Sequence, residues 1–161
     1  MTRDTQFQIE AEQLGYSFQG EIKKGGNYAP LIRVGPMIYL SGQIPRVGDV
    51  VVVTGAAGAQ ASLQDAQEAA KVCALRALAL LQAELGTLAH IEAIARVTVF
   101  TQSAPDFTQQ SEVADAASDL LVRVLGSAGQ HARTSVGVLQ LPKNATVEID
   151  MMVVAAAQPA H

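Results

Sequence analysis

A chain of 161 residues, 49% hydrophobic and 16% charged, is long enough for one domain with a proper core and too apolar to be disordered. A net charge of −4, 4% aromatic residues and no Lys/Arg run argue against a nucleic-acid partner, which needs phosphate neutralisation and base stacking. A single cysteine, Cys73, leaves no internal disulfide, and neither a signal-peptide core nor a stretch of about 20 apolar residues is present, so no membrane partner is expected and the location defaults to the cytoplasm.

In chain order, Gln8 to Leu14 predicts two helical turns stopped by Gly15, on an N-terminal extension over residues 1–20. Gly25-Gly26-Asn27 marks a loop. Arg33-Val34-Gly35-Pro36 reads as a turn into a strand that ends at Ser41-Gly42-Gln43, with Ile32 or the N-terminal arm available for one more strand. Val47-Gly48-Asp49 reads as a hairpin turn into a second strand, Val50 to Thr54. Ser62 then caps a long helix, with Asp65 three residues on to complete a capping box. Along it Ala66, Ala70, Cys73, Ala77, Leu81 and Leu85 share a face, and Gly86 ends it.

Residues 94–101 alternate as a strand, with Arg96 and Thr98 on one face and Val97 and Val99 on the other. Pro105-Asp106 opens a second helix that buries Val113, Ala117, Leu120, Leu121 and Val124 and ends at Gly126. Strands over residues 134–140 and 145–155 complete the order β-β-α-β-α-β-β. Two helices on one face of a mixed sheet define an α+β class. The other sheet face stays apolar and needs a partner. The low charged fraction points the same way, to oligomerisation.

Two charges interrupt the C-terminal strands. Arg133 opens one, in His131-Ala132-Arg133-Thr134-Ser135, and Glu148 sits in the middle of the other. A charge in such a run must be solvated, paired or used. Glu148 shares its face with Thr146, Asp150 and Met152, opposite Val147, Ile149, Met151 and Val153, so a merely solvated face also fits. Arg133 equally fits a surface residue or a structural ion pair. Gly42 stands where a ligand or another backbone can approach closely, or in an ordinary turn. Tyr28, taken alone, reads as a loop packing residue. His90, His131 and His161 are scattered, no Cys/His/Asp spacing suits zinc, Gly55-x-x-Gly58 lacks a phosphate-loop ending, and no serine sits in a nucleophile elbow. Neither a metal nor a covalent nucleophile is expected.

Taken in order, Gly26-Asn27-Tyr28, Ser41-Gly42-Gln43-Ile44-Pro45, Val97-Thr98-Val99-Phe100, Ala132-Arg133-Thr134-Ser135, Leu141-Pro142-Lys143 and Val147-Glu148-Ile149 resemble the RidA family, also called the YjgF or L-PSP endoribonuclease family. The resemblance makes residues 21–157 a single RidA-like domain. It implies a chorismate-mutase-like α+β fold, a homotrimer with an inner β-barrel, and ligand clefts between subunits. It implies hydrolysis of reactive enamine/imine intermediates to 2-oxo acids and ammonia, with no cofactor and a small 2-imino or 2-oxo carboxylic acid as ligand.

By that resemblance Arg133 clamps the carboxylate, Glu148 positions the attacking water, Tyr28 and Gly42 line the cleft, and Ser135 and Ser111 stand at ligand-facing positions. Three positions depart from the family pattern: Ser135 replaces a cysteine, Ser111 an asparagine and His131 a proline. They motivate an alternative, a non-catalytic trimer that binds small carboxylates. The acidic, aromatic-poor composition argues against the RNA cleavage of the family's older label.

Overall fold

The computed structural model describes residues 1–157; His161 lies outside the described residues. Its centre is a five-stranded mixed sheet in the order β1-β2-β7-β5-β6. β1 (Leu31–Val34) and β2 (Met37–Gln43) form a hairpin around Gly35-Pro36, so the extra strand expected near Ile32 is present. β3 (Arg46–Val47) and β4 (Val50–Val51) make a small separate hairpin. β7 (Val147–Ala155) runs antiparallel to both β2 and β5 (Ile91–Gln102), while β6 (Ala132–Val138) lies parallel to β5 at the sheet's edge.

α2 (Leu63–Leu85) begins with the predicted capping box: Asp65 N–H donates to Ser62 Oγ at 3.0 Å and Ser62 N–H to Asp65 Oδ2 at 2.9 Å. It is buried almost all round, which its small Ala and Cys positions permit. α3 (Gln110–Leu125) buries the five predicted apolar residues and starts later than Pro105-Asp106 suggests. Both helices pack on one sheet face, against Val97, Val99, Val147, Ile149, Met151 and Val153, all buried. This is the expected α+β arrangement, with a third helix added.

That third helix, α1 (Arg3–Leu14), is longer than the two turns expected, because Thr2 caps it and accepts from Thr5 N–H at 3.1 Å. It packs against α2 and α3 through Phe7 and Ala11. Buried Glu10 accepts two hydrogen bonds from Arg123 of α3, at 2.9 and 3.0 Å. Residues 1–20 therefore include an integral layer of the core. Among the described residues no helix is long and apolar enough to cross a membrane.

The sheet's far face carries exposed apolar side chains. The register aligns Ile32 with Tyr39 and Tyr39 with Met152, a row across three strands in which each residue is at least 41% exposed.

Candidate functional site

The end of β2 and the start of β7 build one half of a site. The β2–β7 register shifts between Leu40 and Gln43, so the strand is irregular where Gly42 lies. A Cβ at Gly42 would stand 2.7 Å from Glu148 Oε2 and 2.8 Å from its Cδ. Only glycine lets the Glu148 side chain lie across this strand end. Burial, and then the nearby Asp150, push the Glu148 carboxyl above its ordinary value.

Tyr28 lies in the same pocket, of about 150 Å³, with Gly42, Glu148, Arg46, Arg76 and Lys143 among its lining residues. Gly26 lets the loop fold close over the Tyr28 ring, since a Cβ there would meet the ring at 2.9 Å. The Tyr28 hydroxyl accepts from Gly25 N–H at 3.3 Å. Arg76, buried on α2, ties the pocket's walls together by donating to Gln43 Oε1 at 3.2 Å, to the Arg46 carbonyl at 2.6 Å and to the Lys23 carbonyl at 2.8 Å.

The other half stands on β6 and α3. Arg133 pairs in register with buried Val97, which places its side chain on the helix-covered face. There its Nη1 donates to Asp115 Oδ1 at 2.9 Å and to Ser118 Oγ at 3.0 Å. Among the described residues Nε and Nη2 of the fork make no such bond, so two donors remain for a ligand carboxylate. His131 bonds the Gly129 carbonyl through Nδ1 at 2.7 Å; a carbonyl only accepts, so Nδ1 holds a proton and Nε2 can accept from Ser118 Oγ at 2.9 Å. Ser135 shares the Arg133 face of β6, two residues on. Ser111, Asp115 and Ser118 follow at steps of four and three on α3, one stripe of the helix. Arg133 and Ser135 thus share one face of β6, and Ser111 lies on the α3 stripe whose Asp115 and Ser118 hold Arg133.

Within one chain the two groups do not meet. Val97 of β5 stands between Arg133 and Met151, and Glu148 lies three residues from Met151 on the opposite face of β7. Strand spacing and rise put the two backbones roughly 14 Å apart. Among the described residues no three His, Cys, Asp or Glu side chains are placed to hold a metal ion.

The family model described as Endoribonuclease L-PSP matches residues 18–155. The chain belongs to this family. The match starts just after α1, so that helix precedes the shared core. Among relatives, Protein TCP17 of Trypanosoma cruzi is 38% identical over 143 residues, covering 88% of this chain and 89% of TCP17. The solved structure of Atu1372, a protein of unknown function from Agrobacterium tumefaciens, is 36% identical with a TM-score of 0.84, covering 95% of this chain and 94% of that one. A candidate endoribonuclease from Shewanella oneidensis MR-1 is 25% identical with a TM-score of 0.86, covering 96% and 99%. Both structures cover nearly the whole chain.

Within this L-PSP frame the structure adds residues beyond those expected from the sequence. Asp115 and Ser118 hold the arginine, and their helical spacing becomes a signal only once α3 is known to face β6. Arg76 did carry a local signal, being the lone charge between Val72 and Leu81 in an otherwise apolar helix.

Proposed function

We propose that this L-PSP-family protein is a homotrimeric hydrolase of small 2-imino acids, with each cleft built from the Arg133 group of one subunit and the Glu148 pocket of the next. The observation that carries this reading is the Glu148 carboxyl, half-buried, raised in pKa and given its space by Gly42. A base with a raised pKa is better matched to proton transfer near neutral pH. The division of the two groups over opposite sheet faces supports a cleft shared by two chains, and the exposed Ile32, Tyr39 and Met152 row supports burial of the far face.

In this mechanism Arg133 binds the carboxylate through its unengaged Nε and Nη2 donors. The imine is protonated as C=NH2⁺, and its carbon is already electrophilic. Water held by Glu148 adds to that carbon; the C–O bond forms and Glu148 takes the water proton. The neutral carbinolamine then receives that proton on nitrogen. The C–N bond breaks, the hydroxyl proton leaves with ammonia as ammonium, and the 2-oxo acid remains. Positioning and general acid–base transfer suffice, so the chain's own groups carry the reaction.

The pairing of Arg133 with Asp115 favours a second reading, a trimer that binds small carboxylates without turnover. The family description names an endoribonuclease, but the pocket lining contains no histidine for such chemistry.

Imino acids generated by an amino-acid oxidase, with decay followed in the presence of wild type and Arg133→Ala, test the proposal. Acceleration by wild type alone supports it. Calorimetric binding of 2-oxobutanoate without acceleration supports the second reading. Light scattering should give a mass near three subunits, and a monomer that still turned over imines would remove the shared cleft.

A further inference from the structure

The pocket beside Glu148 is strongly cationic in an acidic protein. Lys23, Lys24, Arg46, Arg76 and Lys143 line it, five of the chain's 11 lysines and arginines, although the net charge is −4. Among the described residues only Lys23 is paired with a carboxylate, the exposed Asp49. Arg76 is 4% exposed, and all three of its acceptors are neutral oxygens. A buried cation met only by neutral acceptors leaves its field uncompensated. Glu148, the one acid in the lining, does not supply the balance: its carboxyl is held up by burial and Asp150, where pairing with these cations would push it down.

Two further features mark the lining. Arg46 Nε is buried and has no hydrogen-bond partner among the described residues, while its backbone carbonyl is fixed by Arg76. Lys143, which lines the pocket, and its neighbour Asn144 both adopt left-handed backbone, φ +59° and +58°, which costs energy for non-glycine residues and recurs where a loop is held for function. Arg76 thus acts as the strut, and Lys24 Nζ donates to the Tyr28 carbonyl. Arg46, with the Asp49 charge nearby, and Lys143 are the lining cations whose side chains make no hydrogen bond among the described residues, and they are left for a ligand.

We propose that this pocket receives a second anionic group, so that the ligands are 2-imino and 2-oxo acids carrying a distal carboxylate, the imines of acidic amino acids. This rests on the reading under Proposed function: the first carboxylate goes to Arg133 of the partner subunit, the reacting carbon lies against Glu148, and the far carboxylate meets Arg46 and Lys143. A pocket of about 150 Å³ restricts the ligand to a short chain.

Calorimetry with 2-oxoglutarate and 2-oxopentanoate tests the proposal, because the two share a five-carbon backbone and differ in the distal carboxylate. Wild type should bind 2-oxoglutarate about tenfold more tightly, as one charge-assisted contact allows. In Arg46→Gln and in Lys143→Gln that ratio should fall towards one. Lys143 is exposed, so its variant remains informative where Arg46→Gln folds poorly. Equal affinities in wild type, or a ratio preserved in both variants, overturn the second anion site. If both acids bind equally and Arg133→Ala abolishes binding, the proposed function stands and this inference falls. If neither acid binds, both fall.

Discussion

Gly42 and Glu148 occupy adjoining strands so closely that the space of one side chain exists only because the other residue has none. Gly42→Ala should therefore displace the carboxylate, with the cost of about 1–3 kcal/mol typical of an overpacked contact. Thermal unfolding should register the loss, and imine hydrolysis should fall at least about tenfold, since a misplaced base loses its alignment with water. An alanine variant with wild-type turnover would show that Glu148 works from elsewhere.

Glu148→Gln separates function from stability. The carboxyl's pKa is raised in the folded state, so folding favours its protonated form; that contribution is present at low pH and is lost as pH rises through the folded value. At neutral pH the ionised carboxylate is a burden, and the glutamine variant should unfold at a higher temperature than wild type. The difference should vanish in acid. Turnover should move the other way, falling about 10²- to 10⁴-fold on loss of the base. Wild-type turnover should decline as acid protonates Glu148. Unfolding curves and rate profiles across pH measure both, and identical curves for the two proteins would remove the buried charge from the account.

Arg133 meets its ligand in competition with Asp115. Arg133→Lys keeps the charge but loses the planar fork, and 2-oxobutanoate binding should weaken by about tenfold or more. Asp115→Asn should strengthen binding, because Asp115 is more than half exposed and its pairing with Arg133 adds little stability while occupying the guanidinium. Titration calorimetry on the two variants reads both effects. Weaker binding in Asp115→Asn would instead make the aspartate an orienting partner.

Local patterns carried most of the elements. The Ser62 and Asp65 cap and the alternation of Val147 to Val153 are visible within a few residues, and the structure follows them. α1 exceeds its local signal because only Phe7, Glu10 and Ala11 are buried in a mostly polar stretch, and it docks on α3 through the Glu10–Arg123 pair, which no local pattern encodes. The place of Arg133 relative to Glu148 depends on strand order. They are neighbours in sequence motifs, yet β5 separates β6 from β7 and the faces are opposite. Strand order is a global property, set by which surfaces pack, and a pattern of alternation cannot state it.

The far sheet face provides the remaining test. Ile32, Tyr39 and Met152 align across β1, β2 and β7, and each is exposed in the single chain. An apolar row of this kind is stable in water when a second copy covers it. Met152→Glu places a charge in that row without touching the helix-covered core, since Met152 points away from Met151 and Val153. It should reduce the mass in light scattering from about three subunits to one while the circular dichroism of the chain is preserved. Imine turnover should fall with it, because Arg133 and Glu148 come from different copies in the proposed cleft. A monomeric Met152→Glu that retained full activity would place both residues' work within one chain, against the separation that strand order imposes.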